Sequence, residues 1–250
     1  MQTQLTQNRI RILYTSDVHG KIYPYSYADG AEEMWGLARL KTLIDSLRDD
    51  KTIVIDNGDV LEGSPLTYYH YRNHREEVCP VTRAMSAIGY DYINIGNHDF
   101  NFGLDALSLH IKETGATCLT SNVVRDGTPL AEPYVVREIA GRRIAFFGVT
   151  TQFVPHWESL ENIRGVTFPG AFDTAWDTVR LIRATRAADY IVCVYHGGLE
   201  CARSRRRRLP RAGLHGTGPF PGGSHPADDP PDWNVNQTIM KRYCQCLEEN

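Results

Sequence analysis

Four places in this 250-residue chain set carboxylate, imidazole or amide side chains directly beside glycine. They are Asp17-Val18-His19-Gly20, Asn57-Gly58-Asp59, Gly96-Asn97-His98-Asp99 and His196-Gly197. Aspartate offers hard oxygen donors and can bridge two cations, while imidazole offers a nitrogen suited to Zn, Fe, Mn or Co. Glycine lets the backbone turn sharply and approach a ligand closely. Each corner alone has an ordinary explanation: a turn with a polar cap, or a hydrogen-bonded core histidine. Together they point further, because each closes a strand signal, and ligands of α/β sheets sit at the carboxyl ends of strands. Such corners could assemble a two-cation site from residues far apart in sequence.

The elements that must position these corners can be read from apolar periodicity. Arg9–Thr15, Thr52–Ile55, Tyr92–Ile95, Ala116–Ser121 and Tyr190–Tyr195 read as strands. Leu37, Leu40, Ile44 and Leu47 form a helix face, as do Leu104, Leu107 and Ile111. Pro80 opens another helix that stops at Gly89, and Phe172, Trp176 and Val179 mark one reaching about Ala188. Tyr134–Ile139 and Arg143–Val149 flank Ala140-Gly141-Arg142 and predict a hairpin. Strands alternating with helices imply an α/β domain, with the hairpin adding antiparallel pairing.

Composition narrows the partners. Apolar residues make up 42% and charged residues 23%, as in an ordinary globular protein. Lys and Arg number 27 against 30 Asp and Glu, a formal net charge of −3, so general affinity for nucleic acid or an anionic membrane is not expected. The longest apolar runs fall far short of the roughly 20 residues of a membrane span. The first eight residues carry neither a basic nor an apolar signal segment. The expectation is a cytoplasmic chain whose six scattered cysteines are free thiols.

The motifs in order, D-x-H-G, G-D, G-N-H-D and a strand ending in His, resemble the calcineurin-like metallophosphoesterases. Ile12–Gly20, Asn57–Pro65 and Gly96–Gly103 are similar to the branch holding 5′-nucleotidases and 2′,3′-cyclic-nucleotide 2′-phosphodiesterases. The resemblance implies an α/β sandwich of two mixed β-sheets flanked by helices. It implies two divalent metal ions (Mn, Zn, Fe or Co) and a nucleotide or other phosphoester substrate. Asp17 and His19 would bind the first metal, Asp59 would bridge, and Asn97 and His196 would bind the second. His98 would be the catalytic histidine over the phosphate, oriented from position 101, where many relatives carry aspartate and this chain has Asn101. An amide can still hold a ring N–H, and Asn there fits the cyclic-phosphodiesterase subtype. Hydrolysis would proceed by in-line attack of a metal-activated water, without a phospho-enzyme.

The resemblance covers about residues 9–200 and then stops. The family's G-H-x-H motif, whose histidines complete both metal spheres, is absent, as is its substrate-binding domain. His215 and His225 lie ten residues apart in Pro/Gly-rich text, after six arginines between Arg203 and Arg211. The expectation is an incomplete catalytic domain over residues 1–200 and a disordered tail over 201–250, as a shifted reading frame would leave. Hydrolysis would then be impaired, the alternative being an inactive fragment. Three other groups have plainer readings. The Tyr68, Tyr69, His70, Tyr71 and His74 cluster is a surface segment or cleft lining. His110 is a packing or surface residue, and His156-Trp157 a structural loop.

Overall fold

The computed structural model describes residues 9–198. Along the chain come β1 (Arg11–Thr15), α1 (Leu37–Leu47), β2 (Thr52–Asp56), α2 (Pro65–Asn73), α3 (Pro80–Ile88) and β3 (Tyr92–Ile93). A 3-10 turn (His98–Phe100) leads into α4 (Gly103–Thr114), β4 (Thr117–Cys118), β5 (Val124–Arg125), β6 (Thr128–Pro129) and β7 (Val135–Ile139). The remainder is β8 (Arg142–Thr150), α5 (Val154–Trp157), β9 (Val166–Thr167), α6 (Ala171–Ala184) and β10 (Tyr190–His196).

The described residues form three sheets. The first, ordered β1-β2-β3-β4, is parallel throughout. The second, β10-β8-β7, pairs β10 with β8 in parallel and β7 with β8 antiparallel, as the hairpin predicts. A small antiparallel sheet, β6-β5-β9, completes the set. Among the sheets of the described residues, only the second and third contain antiparallel pairs. The βα connections after β1, β2 and β3 force parallel strands in the first.

Strand alternation divides the core. Ile53 and Ile55 of β2 join Tyr92, Leu119, Ile144, Phe146 and Val194 in a layer between the two larger sheets. Val54 and Ile93 point the other way, into a cluster with Leu37, Ile44, Val81, Met85 and Leu107 of the helices. Every residue of β2 is buried, which is why Thr52–Ile55 reads as an unbroken apolar run. On the second sheet, α6 packs on β8 and buries Ala171, Val179 and Ile182.

Buried amides and a hydroxyl fasten the two larger sheets at their carboxyl ends. Asn57 Nδ2, just past β2, donates to the Tyr195 carbonyl of β10 at 3.0 Å. Asn94 Nδ2, just past β3, donates to Asn57 Oδ1 at 3.0 Å and to the Val149 carbonyl of β8 at 3.2 Å. Thr150 Oγ1 donates to the Ile95 carbonyl. Losing one such partner would strand a buried polar group, at about 1–3 kcal/mol each.

Two features differ from the periodicity reading. The Tyr68–His74 segment belongs to helix α2, with Ser64 accepting from Thr67 N at its N-terminus and Pro65 in its first turn. Its buried face is Thr67, His70 and Tyr71, while Tyr68, Tyr69 and His74 are exposed. The third sheet is built of two-residue strands, too short to show alternation. His110 is buried and shares a 2.8 Å hydrogen bond with Thr82. His156 and Trp157 lie in α5, both exposed. Cys79, Cys118 and Cys193 are free thiols. No helix among the described residues is long and apolar enough to cross a membrane. The expectations for residues 201–250, including His215 and His225, lie outside the described residues.

Candidate metal centre

Parallel pairing of β1, β2 and β3 brings three of the four corners to one sheet edge. Backbone bonds tie two of the loops together: Asp17 N donates to Gly58 O at 3.0 Å and His19 N to Asp59 O at 2.9 Å. Asp17, His19 and Asp59 all adopt left-handed backbone, with φ of 55°, 49° and 59°. Gly58 and Gly96 let the second and third loops touch. A Cβ on Gly58 would lie 2.2 Å from Gly96 N, and one on Gly96 would lie 2.1 Å from Asp59 Oδ1.

The Asp99 carboxylate holds these same loops. It accepts from Asp59 N at 2.9 Å and Gly96 N at 2.8 Å on one oxygen, and from Val60 N at 2.8 Å and Leu61 N at 3.1 Å on the other. Asp99 is buried. Its position in the Gly96–Asp99 motif is visible in the sequence, but its task as a backbone anchor is not.

Around the Asp59 carboxylate the predicted donors converge. Asp17, His19 and Asp59 each offer an atom, all within 4.8 Å of one another. His19 Nε2 stands 3.8 Å from Asp17 Oδ1 and 4.0 Å from Asp59 Oδ2. On the other side, His196 Nε2 lies 3.2 Å from the same Asp59 Oδ2 and 3.2 Å from Asn97 Oδ1. One carboxylate oxygen thus faces both imidazoles, although His196 arrives from the second sheet.

The two imidazoles are anchored alike. His19 Nδ1 donates to the Glu62 carbonyl at 2.9 Å and His196 Nδ1 to the Asn57 carbonyl at 2.7 Å. A carbonyl only accepts, so Nδ1 carries the proton and Nε2 points at Asp59. This is how ligating histidines are commonly held. His98 is different. Its backbone N–H donates to Asp59 Oδ1 at 2.7 Å, and its Nδ1 meets Asn101 Oδ1 at 2.8 Å. Its ring stands edge-on to His19, with centroids 5.4 Å apart. Asn101 Nδ2 in turn donates to Glu158 Oε2 at 3.0 Å.

Burial works against charge at Asp59 and His196, yet each stabilises the other's charged form. The His196 hydrogen bond and charge keep Asp59 below the usual carboxylate range. The Asp59 partner pushes His196 up to about 9. Asp56 fares differently. Burial pushes it up to about 7, against the opposing bonds from Thr15 Oγ1 and Gly58 N.

Carboxylate, amide oxygen and imidazole together suit Mn, Fe, Zn or Co. At bond lengths near 2.1 Å, donors sharing a cation stand about 3 Å apart in octahedral geometry. The donor separations here, 3.2–4.0 Å for the four imidazole pairs and within 4.8 Å across the Asp17, His19 and Asp59 group, would close onto such a cation by contraction.

All seven residues singled out from the sequence (Asp17, His19, Asp59, Asn97, His98, Asn101 and His196) therefore lie in one connected cluster. Asp56, Asn57, Asn94, Asp99 and Glu158 support that cluster without belonging to the predicted donors. Asn57 and Asp99 sit inside the motifs, yet nothing local marks their tasks, because they act through hydrogen bonds to distant backbone or side chains.

The chain matches the family described as calcineurin-like phosphoesterase over residues 10–222. It is 32% identical over 207 residues to the 2′,3′-cyclic-nucleotide 2′-phosphodiesterase/3′-nucleotidase of Yersinia enterocolitica, covering 76% of this chain and 32% of that protein. A 5′-nucleotidase of Vibrio cholerae is 29% identical over 198 residues, covering 76% and 34%. The crystal structure of the calcineurin-like phosphoesterase YfkN from Bacillus subtilis superposes with a TM-score of 0.68 at 29% identity, covering 76% of this chain and 63% of that one. The chain spans about a third of the length of the curated relatives it matches. Proteins of this family bind divalent metals, and Asp17, His19 and Asp59 form a candidate site here. With the match running over most of its residues, the chain belongs to the calcineurin-like phosphoesterase family, among relatives that are nucleotidases and cyclic-nucleotide phosphodiesterases.

Proposed function

We propose that the chain hydrolyses nucleotide phosphoesters, 5′-monophosphates or 2′,3′-cyclic forms, with two divalent cations. One would be held by Asp17, His19 and Asp59, the other by Asp59, Asn97 and His196. The observation that carries this reading is Asp59 Oδ2, which faces His19 Nε2 and His196 Nε2 at 4.0 and 3.2 Å. When bound, the two cations would neutralise phosphate oxygens and acidify a water. The protein's own contribution is largely preorganisation. Asp99 and the two carbonyl-anchored imidazoles fix the donors before substrate arrives. His98, part exposed and held through Nδ1, keeps Nε2 available to stabilise charge on the phosphoryl group or protonate the leaving oxygen.

A second reading is an impaired, cation-binding chain. It is favoured by the donor count, three protein donors per cation among the described residues. Turnover of p-nitrophenyl phosphate and bis(p-nitrophenyl) phosphate, with metal content per chain, separates the two. Two cations per chain and chelator-sensitive turnover support the enzyme. One cation or none, without turnover, supports the impaired chain. Turnover that survives chelation would sink both.

A further inference from the structure

Glu158 stands outside the donor cluster, directly after α5, and none of the sequence motifs includes it. Its carboxylate is nevertheless the end of a hydrogen-bonded chain that reaches His98. Oε2 accepts from Asn101 Nδ2 at 3.0 Å. Oε1 accepts from Asn162 Nδ2 at 3.0 Å and from Ser159 N at 2.6 Å. Asn162 Nδ2 also donates to the Asn101 carbonyl at 2.9 Å, so the loop after α5 and the turn after His98 are clamped together.

The polarity of this chain is forced at one end. An ionised carboxylate can only accept. The Asn101 amide must therefore turn its NH2 towards Glu158 and its Oδ1 towards His98. An amide oxygen also only accepts, so His98 Nδ1, 2.8 Å away, must carry the ring proton. Nε2 is then the nitrogen left to exchange a proton. The other acid near this ring, Glu62, has its Oε2 3.6 Å from Nδ1, outside hydrogen-bond length.

We propose that Glu158 is a positioning residue that fixes the tautomer of His98 through the Asn101 amide. Asn101 alone could not do this, because an amide presents oxygen or nitrogen with equal ease. The carboxylate placed one residue farther out breaks that symmetry. The catalytic consequence rests on the phosphoesterase reading; the tautomer does not.

The test is Glu158→Gln, which keeps shape and removes charge. Ser159 N and Asn162 Nδ2 would still demand the side-chain oxygen, so the new NH2 would face Asn101 Nδ2. The Asn101 amide should flip and turn its NH2 to His98 Nδ1, moving the ring proton to Nε2. Imidazole 15N spectra of the full metal-free chain read this directly: Nδ1–H in the parent, Nε2–H in Glu158→Gln. Adding Asn101→Asp supplies an acceptor to both neighbours and should restore Nδ1–H. In the metal-loaded enzyme, Glu158→Gln should lower kcat about 10-fold to 100-fold with KM nearly unchanged, and the double variant should recover most of it. An unchanged Nδ1–H tautomer in folded Glu158→Gln overturns the proposal. A kcat loss that Asn101→Asp fails to rescue while the tautomer is restored overturns the catalytic consequence drawn from it. A tautomer that responds as expected in a chain without turnover overturns only the phosphoesterase reading.

Discussion

Replacing Asp99 separates the backbone anchor from every other feature of the site. Its two oxygens take four backbone N–H groups, from Asp59, Val60, Leu61 and Gly96, at 2.8–3.1 Å, in a buried setting. In Asp99→Asn one oxygen keeps its pair of donors, while the new NH2 confronts the other pair. Two charge-assisted bonds disappear, each contributing about 1.5–3 kcal/mol, so the expected loss is about 3–6 kcal/mol. In Asp99→Ala all four donors are orphaned. At about 1–3 kcal/mol each, the loss reaches about 4–12 kcal/mol, comparable with a whole domain's stability of about 5–15 kcal/mol. Urea denaturation followed by circular dichroism measures both. The alanine variant should be largely unfolded, and the asparagine variant folded with a sharply lower midpoint. Cation affinity should fall in Asp99→Asn although no donor is touched, since either Asp59 N with Gly96 N or the adjoining Val60 N with Leu61 N would lose its restraint. A loss below about 1 kcal/mol in Asp99→Asn would refute the anchor, because it would mean that water satisfies these groups equally well.

Further outcomes follow from other contacts. Asp59→Asn should remove cation binding from both clusters at once, read as Mn uptake by electron paramagnetic resonance; retention of two tight sites would show that the carboxylate is not shared. Asn57→Ala should cost about 2–4 kcal/mol in urea unfolding, because the Tyr195 carbonyl and Asn94 Nδ2 both lose a buried partner. Asp56, pushed up by burial to about 7 from an ordinary 3.8, binds its proton more tightly in the fold than in the open chain. Its contribution is complete below about pH 4 and lost as pH rises through about 7; Asp56→Asn should flatten that part of the stability–pH curve, and an unchanged slope would exclude Asp56 as its source.

The donor residues are legible in the sequence because their types are rare in combination and each closes an apolar run. Val54, Ile55 and their neighbours announce β2, which places Asp59 just past a strand end. Helix α2 is not legible as a helix, since its buried face is Thr67, His70 and Tyr71 at helical spacing, and two of those are polar. The Ser64-Pro65 start is the available signal. The β5–β6 turn has one too, in Asp126-Gly127, both at positive φ, but two-residue strands leave no alternation to read. Asp99, Asn94 and Glu158 are illegible in function for a different reason. Each has a partner tens of residues away that decides its task, and a lone Asp, Asn or Glu carries no mark of that in its neighbours.

Six described non-glycine residues hold positive φ, and three of them are Asp17, His19 and Asp59. For an L-residue that conformation costs about 1 kcal/mol, less for aspartate, where glycine would be relaxed. Together the three forgo up to about 3 kcal/mol of the stability a domain typically has. Selection for heat resistance alone would favour glycine at these positions and erase the donors one by one. At this edge, durability and chemistry pull in opposite directions, so a stabilised descendant of this chain should be checked first for what it has lost at positions 17, 19 and 59.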